Sequence, residues 1–296
     1  MTKRSLDIFS AVVEKGSMSK AAKELMITQS SVSQVILDIE KEYNIVLFER
    51  LNNQLKLTTT GSEVYNYAKR IVNLSDELES ILKHEANRLY IRIGCSISVG
   101  STVMKSIILE ILKQYPSINH HVIVANTSYI ENLLLNNEID IALIEGKILN
   151  SDLIQEKAMH DKMVLICGNT HKLYGKNSIS IRDLEGVSLI MREKGSGTRD
   201  QFESVLRQNH IVATITCESF SYEAIKVAVE AGLGVSVISQ RLVEDDAIKG
   251  KLWMCNFSDV SFDRYFSIVY HKDKYFTKTM RTFVQLCYDF GRRYEQ

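Results

Sequence analysis

The chain has 296 residues, enough for two or more domains, and its 36 basic and 36 acidic side chains leave a formal net charge of zero. A hydrophobic fraction of 45% is ordinary for a soluble globular protein, and no apolar run approaches the length that spans a bilayer. The N-terminus lacks the charged-then-apolar pattern of a secretory signal, so we expect a cytoplasmic protein with no membrane partner.

The first 40 residues contain three amphipathic segments. The first has apolar residues at helical spacing, namely Leu6, Phe9, Val12 and Val13. Gly16 is typical of a helix end, and Ser17 of a helix start, because a serine hydroxyl accepts an otherwise unpaired backbone N–H. The second segment has an apolar face made of Met18, Ala21, Ala22 and Leu25. Met26 and Ile27 then form a turn, and Thr28 is the next helix cap.

The third segment has the features of a recognition helix. Its apolar face is Val32, Val35, Ile36 and Ile39. Small polar residues remain on its first turns, namely Gln29, Ser30, Ser31, Ser33 and Gln34. The second helix of a helix-turn-helix inserts such residues into the major groove, where Gln pairs with adenine and Ser with several bases. The alternative is a small helical bundle with a solvated polar face.

A two-stranded wing is predicted after the third helix. The apolar run 46–50 ends in Arg50, residues 51–54 are turn-like, and 55–58 alternate as in a strand. With this wing, residues 1–84 closely resemble the DNA-binding region of LysR-type transcriptional regulators. The resemblance rests on Phe9, Gly16-Ser17, Ala21-Ala22, Leu25, Gln29-Ser30, Val32-Ser33, Ile36, Ile39-Glu40, Leu47-Phe48-Glu49-Arg50, Leu57-Thr58 and Thr60-Gly61.

The resemblance implies DNA contacts along this head. The expected DNA-binding residues are Ser17, Lys20, Thr28, Gln29, Ser30, Ser31, Ser33, Gln34, Arg50 and Lys56, with Lys3 and Arg4 as further phosphate-facing candidates. The chain departs from the family at Gln34, where Arg is frequent, and at Leu37 and Asp38, where basic residues are frequent. Residues 1–60 contain eight Lys or Arg and seven Asp or Glu. Because phosphate contacts dominate DNA affinity, we expect weak binding by a monomer and reliance on dimerisation.

A long helix is predicted after the wing. Thr60 and Glu63 have the spacing of a capping box. Apolar residues then recur every three or four positions, at Val64, Tyr67, Ala68, Ile71, Leu74, Leu78, Ile81 and Leu82. This pattern predicts either a coiled-coil seam or a helix packed on its own domain. The family resemblance favours pairing with a two-fold mate, and residues 84–88 are a predicted hinge.

From Leu89 onward, strands alternate with helices, which predicts an α/β sheet with parallel strands. The order suggests two similar lobes joined by crossing strands. This half resembles the effector domain of the same family, a two-lobed periplasmic-binding-protein-like (type 2) fold. The predicted fold class is therefore an all-α winged helix-turn-helix domain (1–60), a linker or dimerisation helix (61–87) and an α/β effector domain (88–296). Lobe 1 is expected at 88–161 and 266–296, and lobe 2 at 162–265.

Polar residues follow several of the predicted strands where helices begin. Free N–H groups and the helix dipole favour anions at such places, and ligands of open α/β sheets lie beyond the strand ends. The expected effector-binding residues are Ser96, Ser98, Thr127, Ser196, Thr198 and Arg199. The run Gly-Ser-Gly-Thr-Arg at 195–199 resembles that of LysR-type regulators of carbon-dioxide fixation and sulfur metabolism, which favours a small phosphorylated or sulfur oxyanion. The alternative is that these residues are ordinary helix caps.

Other classes of function find little support in the sequence. It has no G-x-S-x-G, Walker loop, H-E-x-x-H or C-x-x-C motif. The adjacent His120 and His121 would point to opposite faces of a strand, which is poor geometry for a metal. Asp140 and Glu145 are candidate cleft carboxylates without an evident partner. Five widely spaced cysteines read as buried thiols, and their spacing does not support a redox pair.

We therefore expect no enzyme activity, no metal and no cofactor other than a small co-inducer. The expected function is a sequence-specific, DNA-binding transcriptional regulator of the LysR type, controlled by an effector bound between the lobes. Its expected partners are double-stranded DNA with a dyad-symmetric operator, a second copy in a homodimer, further copies in a homotetramer, and RNA polymerase. The alternatives are an enzyme-like α/β domain fused to a DNA-binding head and a free solute-binding protein, which would need export.

Overall fold

The computed structural model describes residues 1–51, 54–84 and 89–294. The chain divides into two compact units, one formed by Met1–Arg88 with Leu135–Glu138 and the other by Leu89–Leu134 with Ile139–Gln296. The predicted hinge at 85–88 and the wing tip at 52–53 lie outside the described residues.

The first unit is a winged helix-turn-helix followed by a long helix. Its elements are α1 (Lys3–Lys15), α2 (Met18–Glu24), α3 (Gln29–Tyr43), β1 (Phe48–Leu51), β2 (Gln54–Leu57) and α4 (Thr59–His84). The strands β1 and β2 pair antiparallel to form the wing. Phe9, Val12 and Val32 are fully buried between the helices, and Ala21 lets α2 cross closely. The predicted caps at Ser17 and Thr28 are confirmed.

The start of α4 differs from the prediction. The helix begins at Thr59, and the Thr58 hydroxyl accepts from Gly61 N at 2.9 Å, so the cap lies two residues before the expected capping box at Thr60. Thr58 also donates to Val46 O at 2.6 Å, which ties the start of α4 to the segment before the wing. The hydrogen bond to Val46, a residue distant in sequence, favours Thr58 over Thr60 as the helix cap. Local spacing does not reveal this contact.

The predicted apolar stripe of α4 divides between two faces. Val64 and Ala68 pack into the core of the head. Tyr67, Ile71, Leu74 and Leu78 stay exposed, each with between 47% and 68% of its surface accessible. Their 4-3-4 spacing is that of a coiled-coil seam. Packing on the head is therefore confirmed for Val64 and Ala68, and the coiled-coil seam stays a prediction for the exposed residues.

The second unit contains two lobes. Lobe 1 is built from β3 (Tyr90–Ser96), α5 (Ile97–Thr102), α6 (Met104–Gln114), β4 (Asn119–Ala125), α7 (Thr127–Leu135), β5 (Ile141–Ile144) and the first part of β6 (Leu153–Cys167). Lobe 2 adds β7 (Ser178–Ile179), β8 (Ser188–Arg192), α8 (Gly197–Gln208), β9 (Thr214–Ser219), α9 (Tyr222–Glu230), β10 (Ser236–Ser239), α10 (Glu244–Ile248) and β11 (Trp253–Phe257). The chain returns to lobe 1 through β12 (Asp263–His271) and α11 (Lys278–Tyr294).

The two lobes share the long strand β6. Its first part pairs antiparallel with β12, and its last part with β10 and β11. Lobe 1 continues from β12 through β5, β3 and β4, where the last three are parallel. In lobe 2, β8 and β9 form a parallel pair. The lobe 1 core contains Met159 and Phe266, whereas the lobe 2 cores begin at Met163. Along β6 the chain therefore passes from the lobe 1 core into the lobe 2 cores within a few residues.

The predicted α/β class is confirmed, with local corrections. Residues 95–102 are the end of β3 followed by the short helix α5, which places Ser98 inside a helix. The crossing strand β6 begins at Leu153, well before its apolar second half. Its first part contains polar residues such as Gln155 and the charged Glu156 and Lys157, which lie at the edge of the core and make the strand hard to recognise from the sequence.

Candidate functional site

The start of α3 is held by a local network of hydroxyl groups. Thr28 Oγ1 accepts from Ser31 N at 3.1 Å, which caps the helix. The hydroxyls of Ser30 and Ser31 lie 2.9 and 2.7 Å from the same Thr28 oxygen. These three predicted DNA-binding residues therefore stabilise the beginning of the recognition helix as well as presenting polar atoms at its tip.

The other polar residues of α3 take no part in this cap. Gln29 and Gln34 are exposed and Ser33 is half-buried. Gln34 Nε2 donates to Asp38 Oδ1 at 2.6 Å, one helical turn further on. This face of α3 is opposite the apolar face that packs on α1 and α2, so it is open to a groove-sized partner.

The remaining predicted DNA-binding residues lie on α2 and on the wing. The Ser17 hydroxyl caps α2 by accepting from Lys20 N at 3.5 Å, and the Lys20 side chain is exposed. Lys56 on β2 is exposed too. Arg50 belongs to β1, but its side chain lies outside the described residues.

Lys3 does not present a free charge to a phosphate. Its ammonium lies 2.6 Å from Asp76 and 3.6 Å from Glu79, both on α4. The first turn of α1 packs beside α4, so Lys3 is drawn to these carboxylates. The positive charge of Lys3 is therefore paired with α4 and is not free to contact DNA.

In the second unit, buried polar side chains from both lobes meet around the carboxylate of Glu145. Ser96 and Ser98 of lobe 1 donate to it, Ser98 at 2.9 Å. From lobe 2, Thr198 Oγ1 lies 3.4 Å from the same carboxylate. The Tyr222 hydroxyl lies 2.6 Å from Ser98 Oγ and 3.2 Å from Thr198 Oγ1. Burial and the Glu145 charge raise the pKa of Tyr222, so the phenol is neutral at pH 7. We call this group the inter-lobe cluster.

Arg264 of β12 brings a positive charge to the inter-lobe cluster. Its Nη1 donates to Thr198 Oγ1 at 2.9 Å and its Nε to Asp161 Oδ2 at 2.7 Å. Asp161 on β6 also accepts from the Ser239 hydroxyl at 2.7 Å. Burial alone lowers the pKa of Arg264, but the charges of Asp161 and Glu145 raise it above its ordinary value. The guanidinium is therefore charged although it is fully enclosed.

A second guanidinium contacts the inter-lobe cluster from β8. The central carbon of Arg192 lies 4.3 Å from the centre of the Tyr222 ring. Its Nε and Nη2 donate to the Glu193 carboxylate, each at 2.8 Å. Both residues are buried, so Arg192 keeps its charge by pairing while it stacks on the phenol.

Three donors around the inter-lobe cluster have no hydrogen-bond partner among the described residues. They are Ser196 Oγ, Arg192 Nη1 and Arg264 Nη2, all inaccessible to solvent. An unpaired buried donor costs about 1–3 kcal/mol, and more when it is charged. Two of these three donors belong to cations. The arrangement therefore suits a compact hydrogen-bond acceptor.

The lobes touch each other beside these donors. Thr127 Oγ1 donates to Glu145 O at 3.0 Å and accepts from Gly197 N at 3.4 Å. A Cβ atom on Gly197 would lie 2.5 Å from the Glu145 carbonyl oxygen and 2.9 Å from Gly146 Cα. Only glycine at 197 permits this approach. The lobes are therefore in contact across the site.

A cavity of about 910 Å³ opens beside the inter-lobe cluster, between α7, α8 and β12. Arg264 and Thr127 line it, so it adjoins the cluster. Lys147 and Lys157 also line it, together with acidic residues such as Glu203. Its volume is within the range of small-molecule sites.

The structure gathers five of the six predicted effector residues. Ser96, Ser98, Thr127, Ser196 and Thr198 lie in or beside the inter-lobe cluster. Arg199 approaches the cluster only through the Arg192 carbonyl oxygen, to which its Nη1 donates at 2.9 Å, and its guanidinium also donates to Glu203 at 2.7 Å and to Glu218 within lobe 2. The side chain of Arg199 emerges about 100° around α8 from that of Thr198, and so it faces β9. The positive charges at the cluster come from Arg192 and Arg264.

Several site residues were not predicted. Arg192 and Arg264 stand in strands, where a charged residue usually marks a solvated position. Tyr222 was read as part of a helix start and Asp161 was not considered. Of the two candidate carboxylates, Glu145 is the centre of the cluster. Asp140 is bonded to Arg92 and Lys274 away from it. The sequence signal that could have found these site residues is a charged residue at the end of an apolar strand.

The comparisons with known proteins agree with this geometry. A model of the bacterial regulatory helix-turn-helix of the lysR family matches residues 4–62, and a model of the LysR substrate binding domain matches residues 84–291. The chain belongs to the LysR family of transcriptional regulators. Its α/β domain is thus the effector-binding domain of a regulator, as the resemblance implied.

Relatives of this regulator match over nearly their whole length. The HTH-type transcriptional regulator CysL of Bacillus subtilis is 31% identical over 283 residues, which covers 95% of each chain. The RuBisCO operon transcriptional regulator of Allochromatium vinosum is 31% identical over 274 residues, which covers 92% of this chain and 90% of the relative. These relatives are regulators of transcription.

Solved structures show the same fold. The regulatory domain of Synechocystis CcmR in complex with 2-PG matches with a TM-score of 0.65 at 25% identity, over 69% of this chain and 98% of that one. CbnR, a LysR family transcriptional regulator, matches with a TM-score of 0.67 at 17% identity, over 98% and 99%. Within the described ranges, no helix is long and apolar enough to cross a bilayer. The same residues contain no group of three His, Cys, Asp or Glu that could hold a metal ion.

Proposed function

We propose that this LysR-type regulator reads a dyad-symmetric operator with α3 and responds to a compact anion held between its lobes. Base reading is assigned to Gln29, Ser33 and Gln34, which are polar, accessible and outside the helix cap. Phosphate contacts are assigned to Lys20, Lys56 and Arg50, with the hydroxyls of Ser17, Thr28, Ser30 and Ser31 at the helix starts. The exposed face of α3 supports this assignment.

The proposed working form is an oligomer. The exposed stripe Tyr67, Ile71, Leu74 and Leu78 supports pairing of α4 with its mate in a homodimer. A two-fold dimer matches two half-sites. We extend the proposal to a homotetramer on DNA in the cytoplasm and to contact with RNA polymerase. We also propose domain limits at 60, 87 and 161.

One observation carries the anion proposal: three buried donors without partners, two of them guanidinium groups, adjoin a contact between the lobes. A ligand that binds here shifts the population toward the closed arrangement only if it binds that arrangement more tightly. Contacts with both Arg192 of lobe 2 and Arg264 of the crossing strand meet this condition. The relative solved with 2-PG, CcmR, supports a small phosphorylated ligand or one of similar charge.

The DNA assignment is tested by electrophoretic shift with fragments from upstream of the regulator's own or a neighbouring gene. Ser33→Ala with Gln34→Ala should lower both affinity and sequence preference. Lys41→Ala, at the far end of α3, serves as the control and should keep the preference. If the double variant keeps both properties, α3 is not the reading element. If folded protein retards no fragment at low salt, the DNA-binding proposal is wrong.

The anion assignment is tested by thermal shift of the full chain with phosphate, sulfate, sulfite and 2-phosphoglycolate. A ligand at a hundred times its Kd stabilises the native state by about 2.7 kcal/mol, which raises the Tm by several degrees. Ser196→Ala should fold normally, since its hydroxyl has no partner to lose, and should bind the anion more weakly. Ser151→Ala, at an exposed turn that does not line this cavity, is the control. An equal shift in both variants would contradict the site.

A further inference from the structure

Gln34 and Asp38 form a pair on the exposed face of α3. Their side chains lie one helical turn apart, and Gln34 Nε2 donates to Asp38 Oδ1 at 2.6 Å. Asp38 is exposed. A carboxylate on a helix that faces DNA phosphates weakens binding to every sequence. A role of Asp38 in DNA affinity is therefore unfavourable, whereas a role in sequence selectivity is consistent with its position.

The chemistry of the pair fixes the orientation of the Gln34 amide. An ionised carboxylate only accepts hydrogen bonds, and an amide donates only through its nitrogen. The Nε2 side of Gln34 must therefore face Asp38, and Oε1, on the other side of the amide carbon, is turned away from it. Without Asp38, the amide could rotate by half a turn and present either group.

An amide oxygen discriminates between bases in the major groove. Adenine N6 and cytosine N4 are the amino donors there, whereas guanine and thymine present the acceptors O6, N7 and O4. An acceptor that faces the base edge pairs with adenine or cytosine and is repelled by the others. A freely rotating glutamine pairs with any of the four.

We propose that Asp38 is a positioning residue that holds the Gln34 amide oxygen toward the bases, so that this regulator selects adenine or cytosine at the position under Gln34. The inference rests on the proposed role of α3 as the reading element. A Gln–Asp bond at this helical spacing favours its bonded form about twofold in water. We expect loss of Asp38 to reduce the base preference at that position two- to threefold.

The test is selection of DNA by the full-length protein from a randomised duplex library, followed by sequencing. The position read by Gln34 is the one whose preference disappears in Gln34→Ala. At this position, wild type should enrich adenine or cytosine, and Asp38→Ala should reduce the enrichment two- to threefold while total DNA binding increases. In the Gln34→Ala background, Asp38→Ala should have no further effect on preference.

Glu42→Gln is the matched control, since it removes one negative charge from the next turn of α3 and does not contact Gln34. It should increase total binding and leave the preference unchanged. The inference is overturned if Asp38→Ala keeps the wild-type preference, if Glu42→Gln reduces it equally, or if wild type enriches guanine or thymine at that position. Enrichment of no sequence by folded wild type overturns the proposed function, and the inference with it.

Discussion

At the scale of single residues, the turn of the helix-turn-helix contains a residue in an unfavourable backbone conformation. Met26 adopts a φ of 54° between α2 and α3, and 93% of its side-chain surface is exposed. A residue with a Cβ loses about 1–2 kcal/mol in this left-handed region, and Met26 recovers little by packing. Asn44 has a similar φ of 51° at the end of α3, but asparagine tolerates it well.

We expect Met26→Gly to stabilise the head by about 1 kcal/mol, because glycine adopts the left-handed region without strain. Hydrogen exchange of the amides in α2 and α3 measures the gain as slower exchange. Asn44→Gly, at the other left-handed position, should change the exchange little. Faster exchange in Met26→Gly would show that the Met26 side chain has a stabilising contact that outweighs its backbone strain.

A second residue, Asp140, determines the response of the effector domain to acid. Its carboxylate accepts from Arg92 Nη2 at 2.6 Å and lies 2.8 Å from Lys274 Nζ. Burial raises the pKa of Asp140, but the hydrogen bond from Arg92 and the Lys274 charge lower it below its ordinary value of 3.8. A lowered pKa in the folded state contributes stability above the unfolded pKa, and this contribution is lost as the pH falls through the folded value.

Asp140→Asn should lower the free energy of unfolding at pH 7 by about 1.5–3 kcal/mol, since the buried carboxylate loses its charge-assisted hydrogen bonds with Arg92 and Lys274. The difference from wild type should shrink below pH 3.8, where wild type loses the same contribution. Urea unfolding at several pH values measures both effects. Asp152→Asn, in the exposed pair with Lys272, is the control and should cost at most about 1 kcal/mol.

At the scale of elements, α4 has two apolar faces with different partners. Val64 and Ala68 belong to the head, and the seam of Tyr67, Ile71, Leu74 and Leu78 is exposed in the single chain. An exposed apolar row of this regularity marks an interaction surface more than an ordinary surface helix. The exposed seam therefore supports the proposed pairing of α4 with a second copy.

Leu74→Glu should weaken the dimer without unfolding the head. Removal of one buried leucine per chain costs roughly 1.5–3 kcal/mol each, which increases the dissociation constant more than about tenfold. Sedimentation equilibrium measures this change. Ser62→Glu, on the opposite face of α4, should leave the assembly intact. An unchanged dimer in Leu74→Glu would place the interface on another surface.

At the scale of the whole molecule, the effector domain is organised around a close contact between its lobes. Gly197 approaches the backbone of Glu145 and Gly146, and Thr127 bridges the two segments. Buried charges from both lobes and from the crossing strands lie directly behind this contact. Under the proposed function, a ligand that fills the unpaired donors beside this contact would stabilise the closed arrangement of the lobes.

Gly197→Ala should impair this closure, because its Cβ would overlap the Glu145 carbonyl oxygen at 2.5 Å. We expect the apparent affinity for the effective anion, measured by thermal shift, to fall at least tenfold. DNA binding without the anion should be retained. Glu230→Ala, at the exposed end of α9, should behave as wild type. A normal anion response in Gly197→Ala would show that closure at this contact is not required.

The sequence by itself determined the class of the protein and its reading head. The apolar periodicities, caps and turn residues of the head are local signals, because each depends on neighbours within one or two helical turns. The family match and the alternation of strands and helices extended this reading to the effector domain. Ser96, Ser98, Thr127 and Thr198 could be predicted because polar residues at strand ends converge by topology.

Only the tertiary structure decided which charges meet at the site. Glu145, Arg192, Asp161 and Arg264 come from segments up to about 120 residues apart, and their burial depends on packing that no local pattern encodes. The same reason explains why Arg199 turned to β9 and why the apolar stripe of α4 divided between two faces. Sequence spacing describes which residues share a surface, whereas long-range packing decides which surfaces are enclosed.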